Sequence, residues 1–167
     1  MKQLKNSPAI RYLILLRTSF IAIVLIGCSQ PIPKSLETGT FGWVTYSNTQ
    51  LAYSLKYPDI YTKSEERDGK DIVFQYDGIT AMRVLFVSEE EGTNRGLWVK
   101  SKPVEEIEMA GVKGYRYVYN HYDLLASVHT ISCVIEYKGK LLGLEFRTDE
   151  NILDDVQKTI LNSLEFN

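Results

Sequence analysis

Between Leu51 and Phe146 apolar residues return at every second position in one stretch after another, and that period decides what the chain can become. Leu51, Tyr53, Leu55 and Tyr57 alternate with Ala52, Ser54 and Lys56 until Pro58 stops the run. Ile72, Phe74 and Tyr76 share one parity, as do Tyr115, Tyr117, Tyr119 and His121, then Ile131, Cys133 and Ile135, then Leu142, Leu144 and Phe146. A strand turns successive side chains to opposite faces, so each set lines one face of an extended segment. Asp77-Gly78 and Lys138-Gly139 interrupt the pattern, and such pairs suit two-residue hairpin loops because both central positions take positive φ. Val104–Met109 and Tyr115–Tyr122 form the arms of a further hairpin, joined through Ala110 to Gly114. Ile79 to Ser88 is apolar on both parities except at Arg83, the pattern of a central strand covered twice.

Phe41 to Tyr46 is a short aromatic and β-branched strand candidate, whereas Asp59–Lys70 and Glu89–Asn94 are polar and read as loops. Leu97-Trp98-Val99 fits either a strand or one helical turn. Near the C-terminus the period changes. Ile152, Leu153, Val156, Ile160 and Leu164 recur at three- and four-residue steps, which predicts an amphipathic helix from about Asn151 to Asn162. Asp149 stands as its N-cap and Glu150 complements its dipole. The expected architecture is a single-domain α+β fold, an antiparallel sheet of six or seven strands with this helix packed on it.

The first forty residues follow other rules. Lys2, Lys5, Arg11 and Arg17 precede the apolar run Phe20–Ile26, and no Asp or Glu occurs before Glu37. A basic start, a short apolar core and a small residue before a cut are the parts of a secretory signal peptide. The core is too short for a spanning helix, which needs about 20 residues. Leu25-Ile26-Gly27-Cys28 resembles the lipobox of bacterial lipoproteins. The resemblance implies removal of residues 1–27 and attachment of diacylglycerol, then usually a further acyl chain such as palmitate, at Cys28. Residues 29–40 are rich in Pro, Ser and Thr and read as a tether, leaving 41–167 as the folded domain. Ser29, rather than Asp, follows the cysteine, which in a Gram-negative cell implies an outer-membrane destination.

Charge and chemistry exclude several classes. The leader holds four of the 19 basic residues and none of the 21 acidic ones, so the remaining chain has a net charge of −6. It has no basic footprint for nucleic acid. With Cys28 lipidated, Cys133 lacks a partner, and its place between Ile131 and Ile135 suits core packing. There is no Gly-x-Ser-x-Gly nucleophile motif. Asp123, Ser127 and His129 are near in sequence only, and proximity on a turn is not triad geometry. His121, Asp123 and His129 lack the spacing of a dedicated metal site. No catalytic residue, cofactor or metal is expected. Eleven tyrosines stand in the chain, and Tyr115, Tyr117 and Tyr119 with His121 form a candidate binding face, weighed against plain cross-strand aromatic packing.

Leu51-Ala52-Tyr53-Ser54-Leu55-Lys56-Tyr57-Pro58 resembles the early strand of PsbP-like domains. Gly111-Val112-Lys113-Gly114-Tyr115-Arg116-Tyr117 is similar to the mid-domain hairpin of bacterial relatives, and Ile160–Phe166 to their closing helix and tail. The resemblance implies a central antiparallel sheet with flanking helices, and non-catalytic binding to a membrane complex. Ile60-Tyr61 departs from it where relatives often carry Trp after the Pro. The chain is also short between Pro58 and Asp71 and between Glu89 and Val104, which implies one flanking helix fewer. The resulting expectation is a lipoprotein on the extracytoplasmic side of a bacterial envelope membrane, acting as an accessory or protein-binding subunit. The alternative is a small-ligand or metal-binding lipoprotein using the Tyr/His strand.

Overall fold

The computed structural model describes the backbone of residues 41–98, 101–123 and 126–167, and side chains outside 120–128. Cys28 and the leader therefore lie outside the described residues. Seven strands form one antiparallel sheet: β3 (Thr62–Glu66), β4 (Asp71–Tyr76), β5 (Ile79–Val87), β9 (Lys140–Thr148), β8 (Ala126–Tyr137), β7 (Val112–Asp123) and β6 (Glu105–Met109), in that spatial order. Three more, β1 (Trp43–Asn48), β2 (Tyr53–Pro58) and the two-residue β10 (Glu165–Phe166), make a smaller sheet with β2 at its centre. The architecture is the expected single-domain α+β fold, with its strands divided between two sheets.

The hairpins form where the turn chemistry puts them. Asp77 and Gly78 have φ of 50° and 75°, and Lys138 and Gly139 have 51° and 69°. Ala110 and Gly111 do the same at 50° and 78°, so the third reversal is two residues long and β7 starts at Val112 rather than near Tyr115.

Three segments differ from expectation. Thr62–Glu66, taken as loop, is a strand whose five side chains are all exposed; it sits at the sheet edge, where no apolar face is demanded. Glu89–Asn94, also taken as loop, is the short helix α1. Ser88 caps it, accepting from Glu91 N while the Glu91 side chain accepts from Ser88 N, a reciprocal box hidden in an acidic run. The C-terminal helix α2 spans Asp155–Asn162 and begins four residues later than expected. Its N-cap is Asp154, paired in the same reciprocal way with Gln157, and not Asp149.

The core lies between the large sheet and a layer made of the small sheet with α2. Ile72, Phe74, Met82, Val84, Phe86, Ile131, Cys133, Ile135, Leu142, Leu144 and Phe146 come from one face of the large sheet. Tyr46, Tyr53, Leu55, Ile160 and Leu164 meet them from the covering layer. Ser163, the C-cap of α2, bridges to the edge of β2: its Oγ accepts from Lys56 N at 2.8 Å. Phe166 stacks on Tyr137 at 4.0 Å, which docks β10 onto the hairpin end. Cys133 is fully buried, and burial pushes its thiol up to about 12. The two outer edges of the large sheet, β3 and β6, carry Glu65 and Glu66 on one side and Glu105, Glu106 and Glu108 on the other, all exposed.

Candidate functional site

The second face of the large sheet is finished in two different ways. Toward one end, Leu85, Val87 and Val134 pack with the indole of Trp98, and Leu97, Tyr117 and Leu141 lean on the cluster. Trp98 is 1% exposed and lies directly on Gly143 of β9. A Cβ at 143 would collide with the indole ring, so the glycine permits the close approach. Trp98 thus acts as a cap on the second face.

Helix α1, which leads into that tryptophan, is held by ion pairs. Asp71 at the start of β4 is buried, with its side chain 3% exposed, between two arginines. Arg67 Nη1 stands 3.0 Å from its Oδ1, and Arg95 Nη2 2.8 Å from its Oδ2. Arg67 continues to Glu91 of α1 at 2.7 Å. A buried carboxylate is tolerable only when paired in this way.

Toward the other end the face is polar. The register aligns Arg83, Glu145, Ser132 and Tyr117 in one row across β5, β9, β8 and β7. Glu145 is 6% exposed. Tyr119 Oη donates to Glu145 Oε1 at 2.5 Å, and Ser132 Oγ donates to the same oxygen at 3.3 Å. Burial, then the Glu145 charge, push the Tyr119 phenol well above its ordinary range. The phenol therefore stays neutral and donates, and the carboxylate has the acceptor's role. Burial also raises Tyr117, with Tyr115 adding to the effect.

Tyr115, Tyr117 and Tyr119 lie on one face of β7, the same face as this row. Their environments separate them. Tyr115 is 46% exposed, Tyr117 leans on the Trp98 cluster, and Tyr119 is committed to Glu145. The His121 side chain lies outside the described residues. Residue 121 pairs with Val128 and residue 129 with Asn120, so the two histidine positions alternate onto opposite faces of the sheet. Among the described residues no group of three or more His, Cys, Asp or Glu is placed to hold a metal. Among them, too, no helix is long and apolar enough to cross a membrane.

Ser132, Glu145 and Trp98 were not singled out by sequence reasoning. A glutamate between Leu144 and Phe146 reads as an outward position on an amphipathic strand. Only its burial beside a tyrosine two strands away makes it part of the site.

Neither a family model nor a curated protein matches the sequence. Solved structures do match in shape. The solution structure of cyanobacterial PsbP (CyanoP) from Synechocystis sp. PCC 6803 superposes with a TM-score of 0.53 at 18% identity, over 78% of this chain and 95% of that one. A crystal structure from Bacteroides thetaiotaomicron gives 0.55 at 7% identity, over 74% of this chain. This chain spans about half, 48%, of that longer protein. At such identities the likeness establishes the fold, which is PsbP-like.

Proposed function

We propose that this chain is a lipid-anchored, non-catalytic PsbP-like domain of the bacterial cell envelope, an accessory subunit that binds a neighbouring envelope protein. The lipobox at Leu25–Cys28 supports the anchor and the extracytoplasmic side. The observation that carries the binding role is the half-covered second face of the large sheet. Trp98 closes one part of it, and Tyr115 stands exposed at the rim of that covered part, opposite Val134, with Tyr117 between it and the paired Tyr119–Glu145–Ser132 group. An exposed tyrosine at the rim of a packed apolar cluster suits a protein interface, where tyrosine is enriched.

The alternative, a small ligand held by Tyr117, Tyr119 and His121, needs the Tyr119 hydroxyl, which Glu145 already occupies. The protein-binding reading is therefore preferred.

Co-purification of the tagged chain from its own membranes in gentle detergent tests this. A partner at comparable abundance is expected with the wild type. Cys28→Ser should accumulate as uncleaved, unlipidated precursor and lose the partner. Tyr115→Ala should lose the partner while changing stability by less than about 0.5 kcal/mol, as exposed substitutions do. A single clean band from the wild type would sink the accessory role. Normal processing and detergent partitioning of Cys28→Ser would sink the anchor.

A further inference from the structure

Six large apolar side chains are exposed among the described residues, and three of them fall within the first twenty residues of the domain. Trp43, Val44 and Ile60 are each 40% exposed. They sit at one end of the small sheet, where β1 starts and the turn after β2 begins. Phe41 joins them through an edge-on contact with Trp43, ring centres 5.6 Å apart. The two segments are fastened to each other by a backbone bracket: Asp59 N donates to Gly42 O at 2.9 Å, and Gly42 N donates to Asp59 Oδ1 at 3.1 Å. A Cβ at Gly42 would press on the Asp59 carboxylate at 2.6 Å and push that side chain out of the bracket. The corner is thus a fastened apolar projection rather than a frayed end.

We infer that this corner, Phe41, Trp43, Val44 and Ile60, rests in the interfacial layer of the membrane that anchors the chain. The inference rests on the lipid-anchor reading above. It is favoured by where the tether ends. Twelve residues separate Cys28 from Phe41, and a flexible chain of that length spans about 20 Å. A domain of this size has a radius of gyration of about 14 Å. A tether of that length holds its own end of the domain nearest the lipid, and that end is the apolar corner. Tethering also raises the local concentration of the corner at the surface to about the millimolar range. A contact too weak to recruit a free domain becomes populated under those conditions. Tryptophan is the side chain best suited to the site, with an apolar body and a polar N–H that stays at headgroup level.

The two tryptophans make the test selective, since Trp98 is 1% exposed on the opposite side of the large sheet from the small sheet. The full lipidated mature chain is reconstituted in phosphatidylcholine vesicles with brominated acyl chains, floated on a density gradient and read by tryptophan emission. Wild type is expected to float, to lose emission relative to unbrominated vesicles, and to shift to the blue. Trp43→Phe should float with no such loss. Ile60→Glu, a change in an exposed turn, should float and recover most of the emission. Wild type that floats with unquenched emission overturns the docking and leaves the anchor standing. So does Trp43 that stays as accessible to aqueous iodide on vesicles as in detergent, which would give the corner to a protein instead. Chain that fails to float refutes the anchor, and the docking falls with it.

Discussion

The two faces of the seven-stranded sheet use the same strands and end differently. On the face under the small sheet, β4, β5, β8 and β9 contribute only apolar residues to the centre, from Ile72 to Phe146. On the other face the same strands contribute Leu85, Val87 and Val134 where Trp98 covers them, and Ser132 and Glu145 where it does not. Apolar composition follows the cover, strand segment by strand segment. Where cover is partial, polar residues are accepted if they satisfy one another, as Tyr119, Ser132 and Glu145 do.

The contrast can be broken most severely on the covered face. Phe146→Ala should cost about 3–5 kcal/mol, because a fully enclosed ring leaves a hole that two packed layers cannot close; urea denaturation reads the shift in midpoint. On the second face the largest loss should come from Asp71→Ala, which takes the Asp71 carboxylate from Arg95 and leaves Arg67 with Glu91 alone. Removing one member of a buried pair costs up to about 3–5 kcal/mol, and the partial exposure of both arginines brings the expectation to roughly 2. Gly143→Ala tests the cap itself. The displaced indole should cost about 1–2 kcal/mol and give a red-shifted Trp98 emission, with little change in far-ultraviolet dichroism.

At neutral pH ionisation of the thiol on the covered face has no such effect, and it sharpens the comparison only as pH rises. The Cys133 thiol is raised from 9.0 to about 12 in the folded chain. The folded state favours the protonated form, so this stabilisation is complete below pH 9 and is lost as pH rises toward 12. Above pH 9 stability should fall by at most about 1.4 kcal/mol per unit from this group. Cys133→Ala should be less stable at pH 7 and show a shallower decline. The native thiol should also stay silent to aromatic disulfide reagents at pH 8; rapid modification without unfolding would contradict its burial.

Local signals made the covered face legible. Strands β2, β4, β5, β8 and β9 show their period directly, and Asp77-Gly78 and Lys138-Gly139 give the reversals because turn chemistry needs no distant partner. β3 was missed because an edge strand exposed on every side chain has no apolar period to detect. α1 was missed because its capping box, Ser88 with Glu91, lies inside a run that reads equally well as a solvated acidic loop. The start of α2 was misplaced because Ile152 and Leu153 fit the helical step while belonging to the segment before Asp154; Ile152 is 62% exposed. The tyrosine row on β7 was legible from parity. The burial of Glu145 was not, since it depends on Tyr119 reaching it across the intervening β8.

The glutamates on β3 and β6 have a further consequence where copies of the chain meet side to side. Two open strands with unpaired backbone groups would then join into a continuous ribbon. With Glu65 and Glu66 on one flank and Glu105, Glu106 and Glu108 on the other, such an encounter brings acidic side chains together, offset only in part by Lys63 beside Glu65 and Arg116 beside Glu105. The flanks therefore disfavour edge-to-edge growth of the sheet.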